Sequence, residues 1–173
     1  MMSLAETFGQ VDGLKVAIIG DVLHSRVAMS NIIGLKTMGA EVTLCGPPTL
    51  IPVNIDELGV NVSFNLDEVL KWADAVNILR IQRERQGVHY IPSIREYRSL
   101  FGITRERVAA LDKELTIMHP GPMNRGVEID SDVADSENAI ILDQVLNGVA
   151  IRMSVLFHLL GEKSTESAKE AQA

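Results

Sequence analysis

KVAIIGDVLHSRVAMSNIIGLKTMGAEVTLC, residues 15–45, reads as a strand, a helix and a second strand. KVAII (Lys15–Ile19) and EVTLC (Glu41–Cys45) are short and rich in Val, Ile and Leu, without strict alternation of polar and apolar positions. That suits strands covered on both faces of a parallel sheet. Between them, Val27, Met29, Ile32, Ile33, Leu35 and Met38 recur at helical spacing over 25–38, and Gly39 is a natural stop. Parallel strands need a long crossover between them, and this helix supplies one.

The pattern repeats outward from that unit. Strand-like runs recur at 61–64, 75–79 and 115–118. A short helix is expected over 66–73, with Asn65 as its cap and Asp67 and Glu68 in the first turn. Another is expected over 104–111, capped by Thr104 and with Arg107 reaching back. A long helix with a wide apolar surface is expected over 139–160. Pro47, Pro48 and Pro52 bracket a turn. Residues 82–103 read as a long connection with little regular pattern, which in a compact domain points to function or disorder. The expected fold is therefore α/β: a doubly wound parallel five-stranded sheet flanked by helices, a Rossmann-like three-layer sandwich. The domain is expected to occupy residues 8–160. Residues 1–7, opening on a doubled methionine, read as a lead from an artificial or internal start, and 161–173 read as a polar, frayed tail.

At 173 residues the chain is long enough for one domain with a sizeable core. Aromatics make up 4%, so aliphatic side chains must fill that core. A net charge of −7 argues against nonspecific nucleic-acid binding, which needs a basic surface, but leaves room for a local basic pocket. The single cysteine, Cys45, excludes an intrachain disulfide, fits a reducing cytoplasm and reads as a small buried hydrophobe. No apolar run approaches a membrane span, and the first residues lack the basic and apolar regions of a signal peptide.

Three segments just past strand ends carry the chemistry. HPGPMNRGVEI (119–129) places two prolines and a glycine in a stiff turn at the carboxyl end of a strand, where α/β sheets bind small molecules. DVLHSRVAMSN (21–31) puts Arg26 near a helix N-terminus, a setting that favours anions, while Asp21 is placed to cap that helix. LRIQRER (79–85) places Arg80 and Gln82 on one side of an extended segment, with Glu84 able to hold Arg80. Taken singly, each has an ordinary reading as a structural turn, a solvated arginine or a charged loop. VAIIGD lacks the second and third glycines of a dinucleotide fingerprint, so a nicotinamide site is not expected. His119 is placed to orient its turn rather than to act as a base.

Together the three segments resemble the aspartate-binding domain of the aspartate carbamoyltransferases, over residues 8–160. The resemblance implies that Arg26 contacts the α-carboxylate of L-aspartate, and that Arg80 and Gln82 contact its side-chain carboxylate. It implies that carbonyls of Pro120 and Gly121, at the carbamoyl phosphate site, accept from the carbamoyl NH₂ and from the attacking amine of aspartate, with Pro122 touching the same ligand. Two arginines suit a dicarboxylate better than the cationic side chain of ornithine, and Pro120 stands where ornithine-specific relatives carry a cysteine.

The implied reaction transfers a carbamoyl group from carbamoyl phosphate to L-aspartate, the committed step of de novo pyrimidine synthesis, with no metal, cofactor or covalent intermediate. The family is homotrimeric and cytoplasmic. The Ser-Thr-Arg-Thr phosphate motif of its other half is absent from these 173 residues, so the chain alone is expected to be inactive and able to self-associate. The other readings are a stand-alone dicarboxylate-binding or scaffolding module, an ornithine-type domain, and a generic nucleotide-binding domain. No nucleic acid or membrane partner is expected.

Overall fold

In a computed structural model the described residues are 1–81 and 91–170, those from 161 onward by backbone alone. Helix α1 (Met2–Phe8) precedes β1 (Lys15–Ile19), α2 (Arg26–Thr37) and β2 (Glu41–Cys45). Two 3₁₀ turns, Pro48–Leu50 and Ile55–Leu58, lead to β3 (Asn61–Ser63), α3 (Leu66–Trp72) and β4 (Ala75–Ile78). Then come α4 (Ile94–Phe101), α5 (Arg105–Ala109), β5 (Thr116–Met118), α6 (Ser131–Ala134) and α7 (Ile141–Glu170).

The five strands form one sheet in the order β3-β2-β1-β4-β5, parallel throughout. The expected doubly wound α/β sheet is thus observed. Chain order reverses between β1 and β4, so the crevice at their carboxyl ends is the switch point at which such sheets bind ligands.

The caps follow the chemistry of their residues. Ser25 accepts from the Ala28 amide, Asn65 from Glu68 and Thr104 from Arg107, each satisfying an orphan amide of a first turn. Arg107 does reach back: its guanidinium donates to the carbonyls of Gly102 and Ser99, both at 2.8 Å. The apolar residues sort into one cluster on each face of the sheet. One holds Ala17, Ile19, Val76, Ile78 and Ile117 with α3 and α4; the other holds Val16, Ile18, Val42 and Leu44 with α1 and α2. Alternation along each strand decides the face, because successive side chains point to opposite sides.

Three expectations change. Within the supposed connection 82–103, residues Ile94–Phe101 form α4, capped by Ser93 and burying Tyr97 and Phe101. Its two apolar anchors lie four positions apart among charged residues, too sparse a stripe to read from the sequence. The segment read as a lead folds as α1, with Leu4 only 1% exposed and Ser3 hydrogen-bonded to Asn147 of α7 at 3.0 Å. The backbone of α7 continues through most of the segment read as a frayed tail, to Glu170. Among the described residues no helix is long and apolar enough to cross a membrane.

Candidate functional site

The site is assembled from the carboxyl ends of β1, β4 and β5. Past β1 the chain turns at Gly20, whose φ of 119° lies outside the range of ordinary L-residues. A β-carbon there would sit 3.1 Å from both the Leu79 carbonyl and the Tyr97 hydroxyl, so glycine lets β1 and β4 close at this end. Asp21, fully buried, does not cap α2. Its carboxylate accepts the His24 amide at 3.1 Å and faces His24 Nδ1 at 2.9 Å, while Ser25 takes the capping role. Arg26 is then the first residue of α2, and it is exposed.

Beyond β4, the Leu79 amide still donates to the Ile19 carbonyl at 2.7 Å, so β4 stays zipped to β1 to within one residue of Arg80. Arg80 is half-buried. Gln82, with Arg83, Glu84 and Arg85, lies outside the described residues.

Beyond β5, buried His119 anchors the turn. Its amide donates to Gln144 Oε1 of α7 at 2.9 Å, and its Nδ1 accepts from the Gly121 amide at 2.9 Å. Gly121 has φ 62°, a left-handed conformation that favours glycine. The expectation that His119 orients its turn agrees with these contacts. Pro120, Gly121 and Pro122 are left exposed at the rim.

The three strand ends meet. Arg26, Arg80, Pro120, Gly121 and Pro122 line one cleft of about 250 Å³, with Ser25, Val27 and Leu79 completing the wall. Of the six residues singled out in the sequence, the cleft gathers five; the sixth is Gln82. Among the described residues the wall carries two guanidinium groups and no carboxylate, imidazole or thiol. Such a lining suits an anion and presents backbone acceptors. A second groove of about 480 Å³ lies beyond Pro120 against α7, between His119, Gln144 and Arg152 and the aliphatic Val145, Val149 and Leu156.

Behind the cleft is a polar cluster that the sequence did not reveal. Glu128 is fully buried, its Oε1 3.4 Å from His119 Nε2. Burial, then the Glu128 charge, hold the Tyr97 phenol far above its usual pKa. Nothing in the spacing of His119, Glu128 and Tyr97 flags the cluster, because it is made by folding; only the Asp-x-x-His spacing at 21–24 could have signalled the second pair.

Residues 12–159 match the family model for the Asp/Orn binding domain of aspartate/ornithine carbamoyltransferase. The chain is 58% identical over 161 residues to the aspartate carbamoyltransferase catalytic subunit of Cytophaga hutchinsonii, covering 93% of this chain and 52% of that protein. It is 59% identical over 157 residues to that of Christiangramia forsetii, covering 91% and 51%. The chain thus spans about half the length of the curated relatives it matches. Among solved structures, the catalytic subunit of M. jannaschii aspartate transcarbamoylase aligns with a TM-score of 0.75 at 29% identity, over 92% of this chain and 54% of that one. Trypanosoma cruzi aspartate transcarbamoylase in complex with carbamoyl phosphate aligns with a TM-score of 0.77 at 25% identity, over 90% and 52%.

Proposed function

Because the chain belongs to the aspartate/ornithine carbamoyltransferase family through its Asp/Orn binding domain, we propose that it is the L-aspartate-binding half of an aspartate carbamoyltransferase. One observation carries the reading: two arginines from different strand ends and the Pro120–Pro122 turn line a single cleft. Arg26 grips the α-carboxylate and Arg80 the side-chain carboxylate, each by a charge-assisted fork. Gln82 joins Arg80 on the same carboxylate. Carbonyls of Pro120 and Gly121 accept from the carbamoyl NH₂ and the α-amine, and Pro122 packs on the same ligand. Two fixed positive charges would repel the cationic side chain of ornithine, so the substrate is the dicarboxylate.

In the complete reaction the α-amine of aspartate attacks the carbonyl carbon of carbamoyl phosphate. The C–N bond forms, the carbon–oxygen bond to phosphate breaks, the amine loses a proton and phosphate leaves. This half contributes orientation of the amine, worth much of a two-substrate barrier when both partners are held in reacting geometry. It contains no Ser-Thr-Arg-Thr run with which to hold the phosphate. The chain is therefore expected to bind aspartate but not to turn it over until the other half of the enzyme is supplied.

Calorimetric titration with L-aspartate, succinate and phosphonoacetyl-L-aspartate tests this reading. Saturable binding that vanishes in Arg80→Ala supports it. Binding that is indifferent to Arg80 and Arg26 would overturn it, and carbamoylaspartate formed by this chain alone would overturn the inactivity.

A further inference from the structure

The Pro120–Pro122 turn lines the cleft, and His119 holds it from behind. The Gly121 amide donates to His119 Nδ1 at 2.9 Å, so Nδ1 is unprotonated and the ring proton sits on Nε2. That Nε2 faces Glu128 Oε1 at 3.4 Å, inside a pair with no solvent exposure on either side chain; the contact is electrostatic, and Nε2 has no hydrogen-bond partner among the described residues. The same Oε1 accepts the Asn124 amide. Asn124 in turn donates from Nδ2 to the Ile81 carbonyl at 3.2 Å, next to Arg80. The Glu128 backbone is itself pinned, its carbonyl accepting the Ile103 amide at 2.9 Å.

A carboxylate this deeply buried is costly unless its hydrogen bonds are made, and an apolar side chain would fill the same space without that cost. Its place in this network gives it a task. We propose that Glu128 is a positioning residue for the cleft. By facing His119 Nε2 at 3.4 Å with its negative charge and accepting the Asn124 amide, it favours the His119 tautomer that holds Gly121. It thereby sets the distance between the turn carbonyls and the strand end that carries Arg80. Sites whose supporting contacts are lost drift by amounts that weaken binding severely. The effect on ligand rests on the reading of the cleft as an aspartate half-site; the effect on the tautomer does not.

The test uses the whole chain and two readouts. Nitrogen NMR of the ¹⁵N-labelled protein is expected to find His119 protonated on Nε2 at neutral pH, unchanged in Glu128→Gln, which keeps an acceptor oxygen. Glu128→Met keeps the volume but removes the acceptor, and is expected to lose that single tautomer. Phosphonoacetyl-L-aspartate should bind Glu128→Gln within about threefold of the parent and Glu128→Met at least about tenfold more weakly. If Glu128→Met does not fold by circular dichroism, His119→Phe replaces it and should show the same loss. A parent His119 protonated on Nδ1 overturns the proposal. So does a folded Glu128→Met or His119→Phe that binds like the parent, since a space-filling role would leave affinity intact. If the parent binds no ligand, the half-site reading fails, and the tautomer in the parent and the two variants still decides the role of Glu128.

Discussion

Arg26 and Arg80 differ in how they are held, and the difference has consequences. Arg26 is exposed on the first turn of α2, whereas Arg80 is half-buried one residue past a strand still zipped to its neighbour. A pre-ordered guanidinium loses less freedom on binding. Arg80→Ala is therefore expected to weaken succinate binding more than Arg26→Ala, by calorimetry; equal losses would count against Arg80 as the better-ordered grip. Cys45 makes a second prediction at this scale. Burial pushes its thiol from an ordinary 9.0 up to about 12. Below pH 9 the thiol is neutral in both states and contributes nothing. Above pH 9 the unfolded thiol ionises while the folded one does not, so stability falls by at most about 1.4 kcal/mol per pH unit from this group. Urea unfolding at pH 8 and pH 10 should show that decline, and Cys45→Ala should reduce it. Tyr97, whose pKa is also raised, adds to the decline only at higher pH.

At the scale of elements, α1 and α4 are the two that the sequence concealed. Each is held by tertiary contact rather than by its own periodicity. In α1, Leu4 enters the core beside Leu14, Val16 and Ala40, and Asn147 of α7 donates to Ser3 and Glu6. Leu4→Ala should therefore cost about 2–5 kcal/mol, the range for truncating a leucine in a packed core. A chemical-denaturation midpoint unchanged by Leu4→Ala would mean that α1 adds nothing to the fold. By contrast α3 and α5 were legible from their caps, Asn65 and Thr104, and α2 from the helical spacing of its apolar residues.

At the scale of the molecule, α7 is the feature left unexplained by the domain's own packing. Leu142 is 82% exposed, Leu146 70% and Phe157 72%, in company with Val149, Leu156 and Leu159. A contiguous apolar face of this kind favours association. Sedimentation is expected to show concentration-dependent self-association of this chain, reduced in Leu146→Glu/Phe157→Glu. A strictly monomeric parent at high concentration would contradict that.

The sequence by itself determined the sheet and the strand ends. Short aliphatic runs separated by capped helices admit little but a parallel α/β sandwich, and the residues that follow each strand are forced to its carboxyl edge. Arg26, Arg80 and HPGP were therefore legible as lying past strand ends before any coordinates, while their sharing one site rested on the family resemblance. What only the tertiary structure decided is which distant side chains meet behind that edge. Ser25 displaced Asp21 as the cap because the buried Asp21 carboxylate is occupied by His24. Glu128 reaches His119 because residues 124–129 fold back on themselves, the Gly126 amide donating to the Ile129 carbonyl at 2.8 Å. Such contacts depend on where two loops come to rest, and local periodicity carries no record of that.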